Sequence, residues 1–127
     1  MKDPAYFKFP TIIIGNTYGP FFIRPMAGCS NIAYPAQGVR MICEIRTAPI
    51  QDGGTLLLSL CNGMPTQTPP NKPNPNGYWY WILSASTVQT AVLDAGEYPT
   101  EICVVYPNGT RRTLAQGITP VNKAING

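Results

Sequence analysis

The chain has 127 residues and a mass of 13.8 kDa, which is the size of one domain. Apolar residues make up 44% of the chain and charged residues only 12%, about half the usual share of charge. The sequence contains no histidine, which excludes Ser–His and Cys–His nucleophile pairs and removes the commonest general base and metal ligand. Twelve glycines and 14 prolines separate short apolar runs, a composition that favours strands and loops over a helical bundle.

The positive charges are few and scattered. Nine Lys and Arg against six Asp and Glu give a net charge of +3, and Arg111 and Arg112 are the only adjacent basic pair. Nucleic-acid binding needs a cluster of cations that displaces phosphate counterions, so we expect no nucleic-acid partner. No apolar run is long enough to span a bilayer, and the segment around Asp3 and Pro4 lacks the apolar stretch of a signal peptide. We therefore expect no membrane partner.

Four cysteines, at positions 29, 43, 61 and 103, form no Cys-x-x-Cys pair. Without histidine a zinc site would need all four thiolates from distant positions, so we expect neither a metal nor another cofactor. Two interpretations of the thiols stay open: buried free thiols that act as small apolar side chains, or one or two disulfides in a secreted domain. The lack of a signal-peptide pattern favours reduced thiols.

Residues 1–10 are predicted to form an extended N-terminal arm, because prolines near both ends disfavour a helix. Three aromatic residues of this arm are candidate anchors on a partner, namely Tyr6, Phe7 and Phe9. A short β-branched run at Thr11–Ile14 and a second run at Tyr18–Arg24 are predicted strands, the second confined to a sheet edge by its prolines. Residues 25–37 are predicted to be irregular.

The clearest strand is Gly38–Thr47, where apolar residues alternate with a period of two. One face is fully apolar and consists of Val39, Met41, Cys43 and Ile45. The other face consists of Arg40, Ile42, Glu44 and Arg46. The continuous apolar run Thr55–Cys61 then predicts a strand that is covered on both sides.

The most unusual segment is 62–77, NGMPTQTPPNKPNPNG, which is too rich in proline for a helix or a strand. A loop this long in a compact domain is usually functional or disordered. Two readings stay open, a docking element or a passive surface insertion. Under the first, the candidate interface residues are Met64, Pro65, Pro69, Pro70, Pro73 and Pro75.

The second half of the chain begins with an aromatic strand at Gly77–Leu83, followed by one helical turn within Ser84–Ala91 that Ser84 or Ser86 caps. A hairpin follows, with strands Glu97–Tyr106 and Arg111–Thr119 around a tight Pro-Asn-Gly turn. Its second strand starts with Arg111 and Arg112, which we include among the candidate interface residues.

These elements sum to seven or eight short strands with turn signals between them, the profile of a β-sandwich or barrel. The predicted organisation is one all-β domain over 11–119, with the arm 1–10 before it and a C-terminal tail, 120–127, after it.

Carboxylate pairs are the one catalytic possibility that the composition leaves. Glu97 and Glu101 lie four residues apart on one predicted strand, hence about 13 Å apart, which is beyond the spacing of glycosidase carboxylates. Other pairings depend on the fold. The sequence has no Gly-x-Ser-x-Gly, Ser-x-x-Lys or phosphate-binding glycine motif, so we expect a protein that is not an enzyme.

The C-terminal half carries the motifs of a known family. After the aromatic strand and the Ser/Thr-rich turn comes Leu93-x-x-Gly96-Glu97-Tyr98. An alternating strand then ends in Val104-Val105-Tyr106-Pro107-Asn108-Gly109-Thr110, and Thr113-Leu114-x-x-Gly117-x-x-x-x-Val121 follows. This order resembles the immunoglobulin-like module of tailed bacteriophages, the type of the N-terminal domain of baseplate upper proteins. The segments 25–37 and 62–77 depart from the family pattern.

The resemblance implies an immunoglobulin-like antiparallel β-sandwich with extended terminal arms. It also implies a non-enzymatic virion subunit that docks on tail, baseplate or fibre proteins, is assembled in the bacterial cytoplasm and forms oligomers in the particle. A capsid cement or decoration protein of the phage head is an alternative location. A secreted carbohydrate- or receptor-binding module, with Tyr78, Trp79, Tyr80 and Trp81 as its stacking surface, is an alternative function. A small hydrolase would need two carboxylates that converge in a cleft.

Overall fold

The structure, a computed structural model, describes residues 5–23, 38–49, 52–66 and 79–124. Within these ranges the chain forms eight strands and one short helix. The strands are β1 (Ala5–Lys8), β2 (Ile12–Ile13), β3 (Tyr18–Ile23), β4 (Arg40–Arg46), β5 (Leu56–Gly63), β6 (Trp81–Ala85), β7 (Gly96–Val105) and β8 (Arg111–Asn122), and the helix is α1 (Thr87–Ala91). The predicted β-rich class is confirmed. Two predicted segments lie wholly or mostly outside the described residues: the irregular segment 25–37 and the segment 62–77, which we call the Pro/Asn-rich loop.

The larger sheet has the strand order β1-β8-β7-β4-β5, and β2 pairs with a later part of β8. The β4, β5, β7 and β8 pairs are antiparallel, whereas β1 and β2 run parallel to β8. The expectation of a wholly antiparallel sheet is therefore wrong at this edge, because the first and last segments of the chain run in the same direction.

The described residues of the two predicted terminal arms include strand residues of this sheet. Residues 5–8 of the predicted arm form β1, and the amide of Phe9 donates to the carbonyl of Ile118 at 2.9 Å. At the other end, β8 continues through Asn122, into the segment predicted as a tail. The described parts of both segments are therefore paired within the chain, β1 with β8 and the end of β8 with β2 and β7.

The second sheet consists of β3 and β6, and both sheets contribute to one core. Thr66 and Tyr80 form an antiparallel bridge with two backbone hydrogen bonds of 2.8 Å. This bridge connects the end of β5 with the start of β6. The larger sheet therefore curls towards the smaller one like half of a barrel.

The core face of β4 is the one that the sequence predicts. Met41, Cys43 and Ile45 are fully buried, because alternate residues of a strand point to one face. Trp81 of β6 covers them from the second sheet, and its indole Nε1 donates to the carbonyl of Val39 at 3.0 Å. This hydrogen bond satisfies the one polar atom of the largest buried side chain.

Strand β5 differs from its prediction. Leu58 and Leu60 are buried, but Leu56 is exposed, and within the described residues β5 pairs along its length only with β4. The expectation of a strand covered on both sides is only partly met, because Leu57 and Ser59 on the other face are half-buried. Two register shifts in the β4–β5 pair further interrupt the alternation.

Helix α1 begins as the sequence predicts. Ser86 is its N-cap, and a reciprocal pair of hydrogen bonds links Ser86 and Gln89 in a capping box. The buried hydroxyl of Thr90 donates to the carbonyl of Asn16 at 2.8 Å and accepts from the amide of Gly15 at 3.1 Å. These contacts fasten the short helix to the turn before β3.

The β7–β8 hairpin is also confirmed. Gly109 adopts a φ of 88° in its turn, a conformation that favours glycine, and its amide donates to the carbonyl of Tyr106 at 2.8 Å. Near the other end of the hairpin, the hydroxyl of Tyr98 donates to the carbonyl of Asp94 at 2.9 Å. This bond connects the start of β7 to the segment that precedes it.

Among the described residues, no helix has the length and apolar character that crossing a membrane requires.

Candidate functional site

The predicted N-terminal anchors lie at the β1 edge of the larger sheet. Tyr6 and Phe7 pair through their backbones with Gln116 and Gly117 of β8. Phe9 is only 2% exposed and packs in the core, so its ring stabilises this chain and does not present itself to a partner.

The described part of the Pro/Asn-rich loop, 62–77, begins inside a strand: Asn62 and Gly63 belong to β5, so the prediction that this segment forms no strand is wrong at its start. Met64 is 64% exposed, and Pro65 beside it is half-buried. The prolines at 69, 70, 73 and 75, predicted as interface residues, lie outside the described ranges. The structure brings the two ends of the loop together, since Thr66 and Tyr80 are hydrogen-bonded to each other.

The two adjacent arginines have different surroundings, although both are exposed at the start of β8. Arg111 reaches over the outer face of the sheet, where its Nη2 lies 3.6 Å from the Sγ of Cys103. Arg112 is a cross-strand partner of Val104. The pair therefore does not act as one cationic unit.

A groove of about 470 Å³ lies on the outer face of the larger sheet, the face turned away from the core. Its apolar walls include Ile42, Pro49, Pro99 and Ile118, contributed by β4, β7, β8 and the turn after β4. The volume is within the range of small-molecule and side-chain pockets.

Four charged side chains line this groove, two acidic and two basic. Glu44 of β4 and Glu101 of β7 are direct cross-strand partners, a position in which like charges repel. The guanidinium of Arg46 forms an ion pair with Glu44 at 2.9 Å. Glu101 instead accepts hydrogen bonds from the Cys103 thiol at 2.7 Å and from the Thr113 hydroxyl at 3.5 Å.

This carboxylate pair was not foreseen from the sequence, where only the distant pair of Glu97 and Glu101 could be evaluated. The face of Glu44 is readable from the alternation of β4, but its neighbour depends on the pairing of β4 with β7. Within the described ranges, Glu101 has no basic side chain at ion-pair distance.

The described thiols are all shifted towards their protonated form. Burial raises the pKa of Cys43, Cys61 and Cys103, and the carboxylate of Glu101 raises the pKa of Cys103 further. A thiol reacts as a nucleophile through its thiolate, so these environments suppress nucleophilic chemistry at neutral pH. All three cysteines are free thiols.

Exposed apolar side chains occur in two places. Among the described residues these are the two ends of β5, with Leu56 as its first residue and Met64 just after it, and the region of α1. Val88 and Val92 lie four positions apart on and just after α1, at 75% and 77% exposure. A spacing of four positions places both valines on one side of a helical turn, and the structure exposes that side to solvent. We name these two valines the α1 patch.

The aromatic segment around β6 is divided between core and surface. Trp81 is fully buried, Trp79 packs partly against the core, and the ring of Tyr80 contacts that of Phe22 edge to face at a centroid distance of 6.3 Å. The proposed stacking surface of a carbohydrate-binding module therefore loses Trp81 to the core. Tyr78 lies outside the described residues.

Within the described residues, no group of three or more Cys, Asp or Glu side chains could hold a metal ion.

Comparison with known proteins gives no relationship on which to base a function. No protein-family model matches the chain, and no curated protein matches it.

Proposed function

We propose that this chain is a non-enzymatic structural subunit of a tailed-phage virion that acts by protein–protein docking. The observation that carries the proposal is the α1 patch, where Val88 and Val92 are more exposed than any other large apolar side chain among the described residues. Exposed apolar side chains four positions apart on a helix are neighbours on its surface, which makes this pair a candidate for a protein–protein contact. The low share of charged residues also supports a docking role, because charged residues are depleted in the centres of interfaces.

The proposal includes an immunoglobulin-like sandwich, and the strand order supports it. The order β8-β7-β4-β5 matches the G-F-C-C′ order of variable-type immunoglobulin sheets, and the β3–β6 pair matches strands B and E of the opposing sheet. The hydrogen bond from Tyr98 to the carbonyl of Asp94 matches the tyrosine corner at the start of strand F. Such modules serve many functions, so the fold supports the docking role only together with the surface.

A structural role is also supported by the state of the reactive groups. The buried thiols are held in their protonated form, and Glu44 and Glu101 already bond to side chains of their own sheet. Each of these groups therefore contributes to the fold, and none requires a substrate to explain it. The same groups fit assembly in the bacterial cytoplasm, where thiols stay reduced.

The proposed partners are other virion proteins of the tail, baseplate or fibre attachment, together with further copies of this chain in the particle. A place on the phage head, as a capsid cement or decoration protein, is the alternative location. A secreted binding module fits less well, because the fully buried Trp81 cannot stack on a ligand.

The experiment introduces charge into the α1 patch. The variant Val88→Asp with Val92→Asp is produced during phage growth, and purified particles are analysed for the chain by quantitative mass spectrometry. Since both side chains are exposed, we expect the variant to fold and its incorporation to fall at least tenfold. The control, Asn108→Asp with Thr110→Asp, adds the same charge at exposed positions in the β7–β8 turn and should be incorporated normally.

Incorporation of the α1 variant at the wild-type ratio would reject the patch as the docking surface. Absence of the wild-type chain from purified particles would reject the virion role itself. The position of the chain in fractionated heads and tails separates the tail location from the head location.

A second variant tests the Pro/Asn-rich loop. Residues 67–78 are replaced by a short Gly/Ser linker, which the hydrogen-bonded pair of Thr66 and Tyr80 allows because it already holds the two ends together. If the loop is a docking element, the shortened chain folds but does not join particles. Normal incorporation would make the segment a passive insertion.

A further inference from the structure

Two cysteines lie directly opposite each other on neighbouring strands. Cys43 of β4 and Cys61 of β5 are cross-strand partners in the antiparallel register, and both pack in the same core. Residues in this relation have Cα atoms about 4.5–5.5 Å apart, inside the range of roughly 4.4–6.8 Å found in disulfides. The backbone therefore holds these residues at a separation that a disulfide spans without movement of the strands.

The sheet excludes the third described cysteine from this pair. Cys103 is the cross-strand partner of Ile42, and its thiol donates to Glu101 on the groove side of the sheet. Cys43 faces the core, on the opposite side of the same sheet. Of the cysteines that the structure describes, the topology thus selects one pair.

The two thiols of the pair differ in accessibility. Cys43 is fully buried, whereas Cys61 is half-buried, with its Sγ 3.7 Å from the carbonyl oxygen of Met41. A reagent in solution therefore reaches Cys61 first, and Cys43 follows from within the protein.

We propose that Cys43 and Cys61 form an intrachain disulfide site that takes a low-molecular-weight disulfide, such as oxidised glutathione, as its oxidant. The Cys61 thiolate attacks one sulfur of glutathione disulfide, the glutathione S–S bond breaks, and one glutathione leaves as a thiolate that takes up a proton. The Cys43 sulfur, after losing its proton, attacks the Cys61 sulfur of the mixed disulfide and releases the second glutathione thiol. Two protein thiols are oxidised by two electrons, and one glutathione disulfide is reduced to two thiols.

This disulfide would link the edge strand β5 covalently to β4. Within the described residues, β5 pairs along its length with β4 alone, so its attachment depends on one ladder and on the packing of Leu58 and Leu60. A disulfide between positions 43 and 61 closes a loop of a size that typically lowers the unfolding equilibrium constant by about a hundredfold. The site does not depend on the proposed virion role.

The experiment starts from the Cys29→Ser chain, because Cys29 lies outside the described residues. The folded chain is incubated with oxidised glutathione at pH about 8.5, where thiol–disulfide exchange is efficient. Thiols are then counted under denaturing conditions. The chain is also digested with trypsin and a glutamate-specific protease, which cut between Cys61 and Cys103 and separate the possible cross-links.

We expect the thiol count to fall from three to one and a peptide linking Cys43 with Cys61 to appear. The matched variant Cys103→Ser should give the same linked peptide and no remaining thiol. The variants Cys61→Ser and Cys61→Ala should give no linked peptide, and circular dichroism of both verifies their fold. Oxidation should raise the midpoint of urea unfolding, and dithiothreitol should reverse the rise.

A linked peptide that contains Cys103 would overturn the proposal. So would a folded chain that keeps all three thiols under conditions in which the urea-unfolded chain becomes oxidised.

Discussion

Along β4, consecutive side chains point to opposite faces of the larger sheet, and these two faces differ in composition and in role. On the inner face, Met41 and Ile45 are fully buried against the second sheet. On the outer face, Glu44 and Arg46 form a partly exposed ion pair at the floor of the groove. One strand thus contributes both to the core and to a polar surface.

The inner face of the larger sheet stabilises the chain, whereas the outer face is accessible from solution. Burial of apolar area is the main source of stability, so the inner face should dominate the free energy of unfolding. Ion pairs on a partly exposed face contribute little, so outer-face side chains can change at small cost. Each of the following experiments measures one side of this difference.

The largest effect is expected at Trp81, the largest buried side chain. Trp81→Ala should lower the free energy of unfolding by about 3–5 kcal/mol, because it leaves a cavity between the sheets and removes the donor to the carbonyl of Val39. Urea unfolding followed by circular dichroism measures the change. A loss similar to that of an exposed control such as Val88→Ala would contradict the position of Trp81 in the core.

A smaller effect is expected at a polar pair inside the core. The hydroxyls of Thr100 and Thr119 are hydrogen-bonded at 2.5 Å, and both residues are buried. Thr100→Val should cost about 1–3 kcal/mol, because it leaves the Thr119 hydroxyl buried without this partner. The double variant with Thr119→Val should cost less than Thr100→Val alone. Simple addition of the two single effects would show that the hydroxyls do not depend on each other.

Alkaline pH tests the inner face through Cys43. Burial raises the pKa of this thiol in the folded chain, whereas in the unfolded chain the thiol has its ordinary pKa of about 8.5. The folded state therefore keeps a proton that the unfolded state loses. Its contribution to stability is complete below the unfolded pKa and declines as the pH rises above it, by at most about 1.4 kcal/mol per pH unit.

Urea unfolding of wild type and Cys43→Ala between pH 7 and about 9 measures this decline, and the ionisation of tyrosines is common to both chains, so it cancels in the comparison. The decline should be shallower in Cys43→Ala, and the remaining slope should reflect Cys61 and Cys103, whose pKa values burial also raises. Identical slopes in both chains would show that Cys43 does not keep its proton on folding.

The smallest effect is expected on the outer face. Arg46→Ala should cost less than about 1 kcal/mol, because the ion pair with Glu44 is partly exposed. Adding Glu101→Gln should recover part of this cost, since it removes the repulsion between Glu44 and Glu101. Urea unfolding at low and high salt gives both values. A loss as large as that of Trp81→Ala would mean that the two faces do not differ in the way described.

Much of the local structure could be predicted from the sequence because it depends on near neighbours. The alternation in β4 identified Met41, Cys43 and Ile45 as its core face, and Ser86 was one of two candidate caps for α1. The Pro-Asn-Gly turn of the hairpin follows from local backbone preferences in the same way.

The rest depends on which strands become neighbours, and no local pattern contains that information. The carboxylate pair of Glu44 and Glu101 and the thiol pair of Cys43 and Cys61 arise from the register of β4 with β7 and β5. The parallel pairing of β1 with β8 likewise joins the two ends of the chain. The alternation of a strand over 77–83 predicts that Trp79 and Trp81 share a face, but it does not predict how deeply each is buried.

The docking role is tested most directly by comparing the solvent accessibility of α1 in the free chain and in purified particles. Hydroxyl-radical footprinting with mass spectrometry measures it at Val88 and Val92, which are 75% and 77% exposed in the free chain. If these side chains are the contact with a virion partner, their labelling falls at least several-fold in particles, while an exposed turn residue such as Pro107 is labelled equally in both. Equal labelling of the two valines in the free and particle-bound chain would contradict the account.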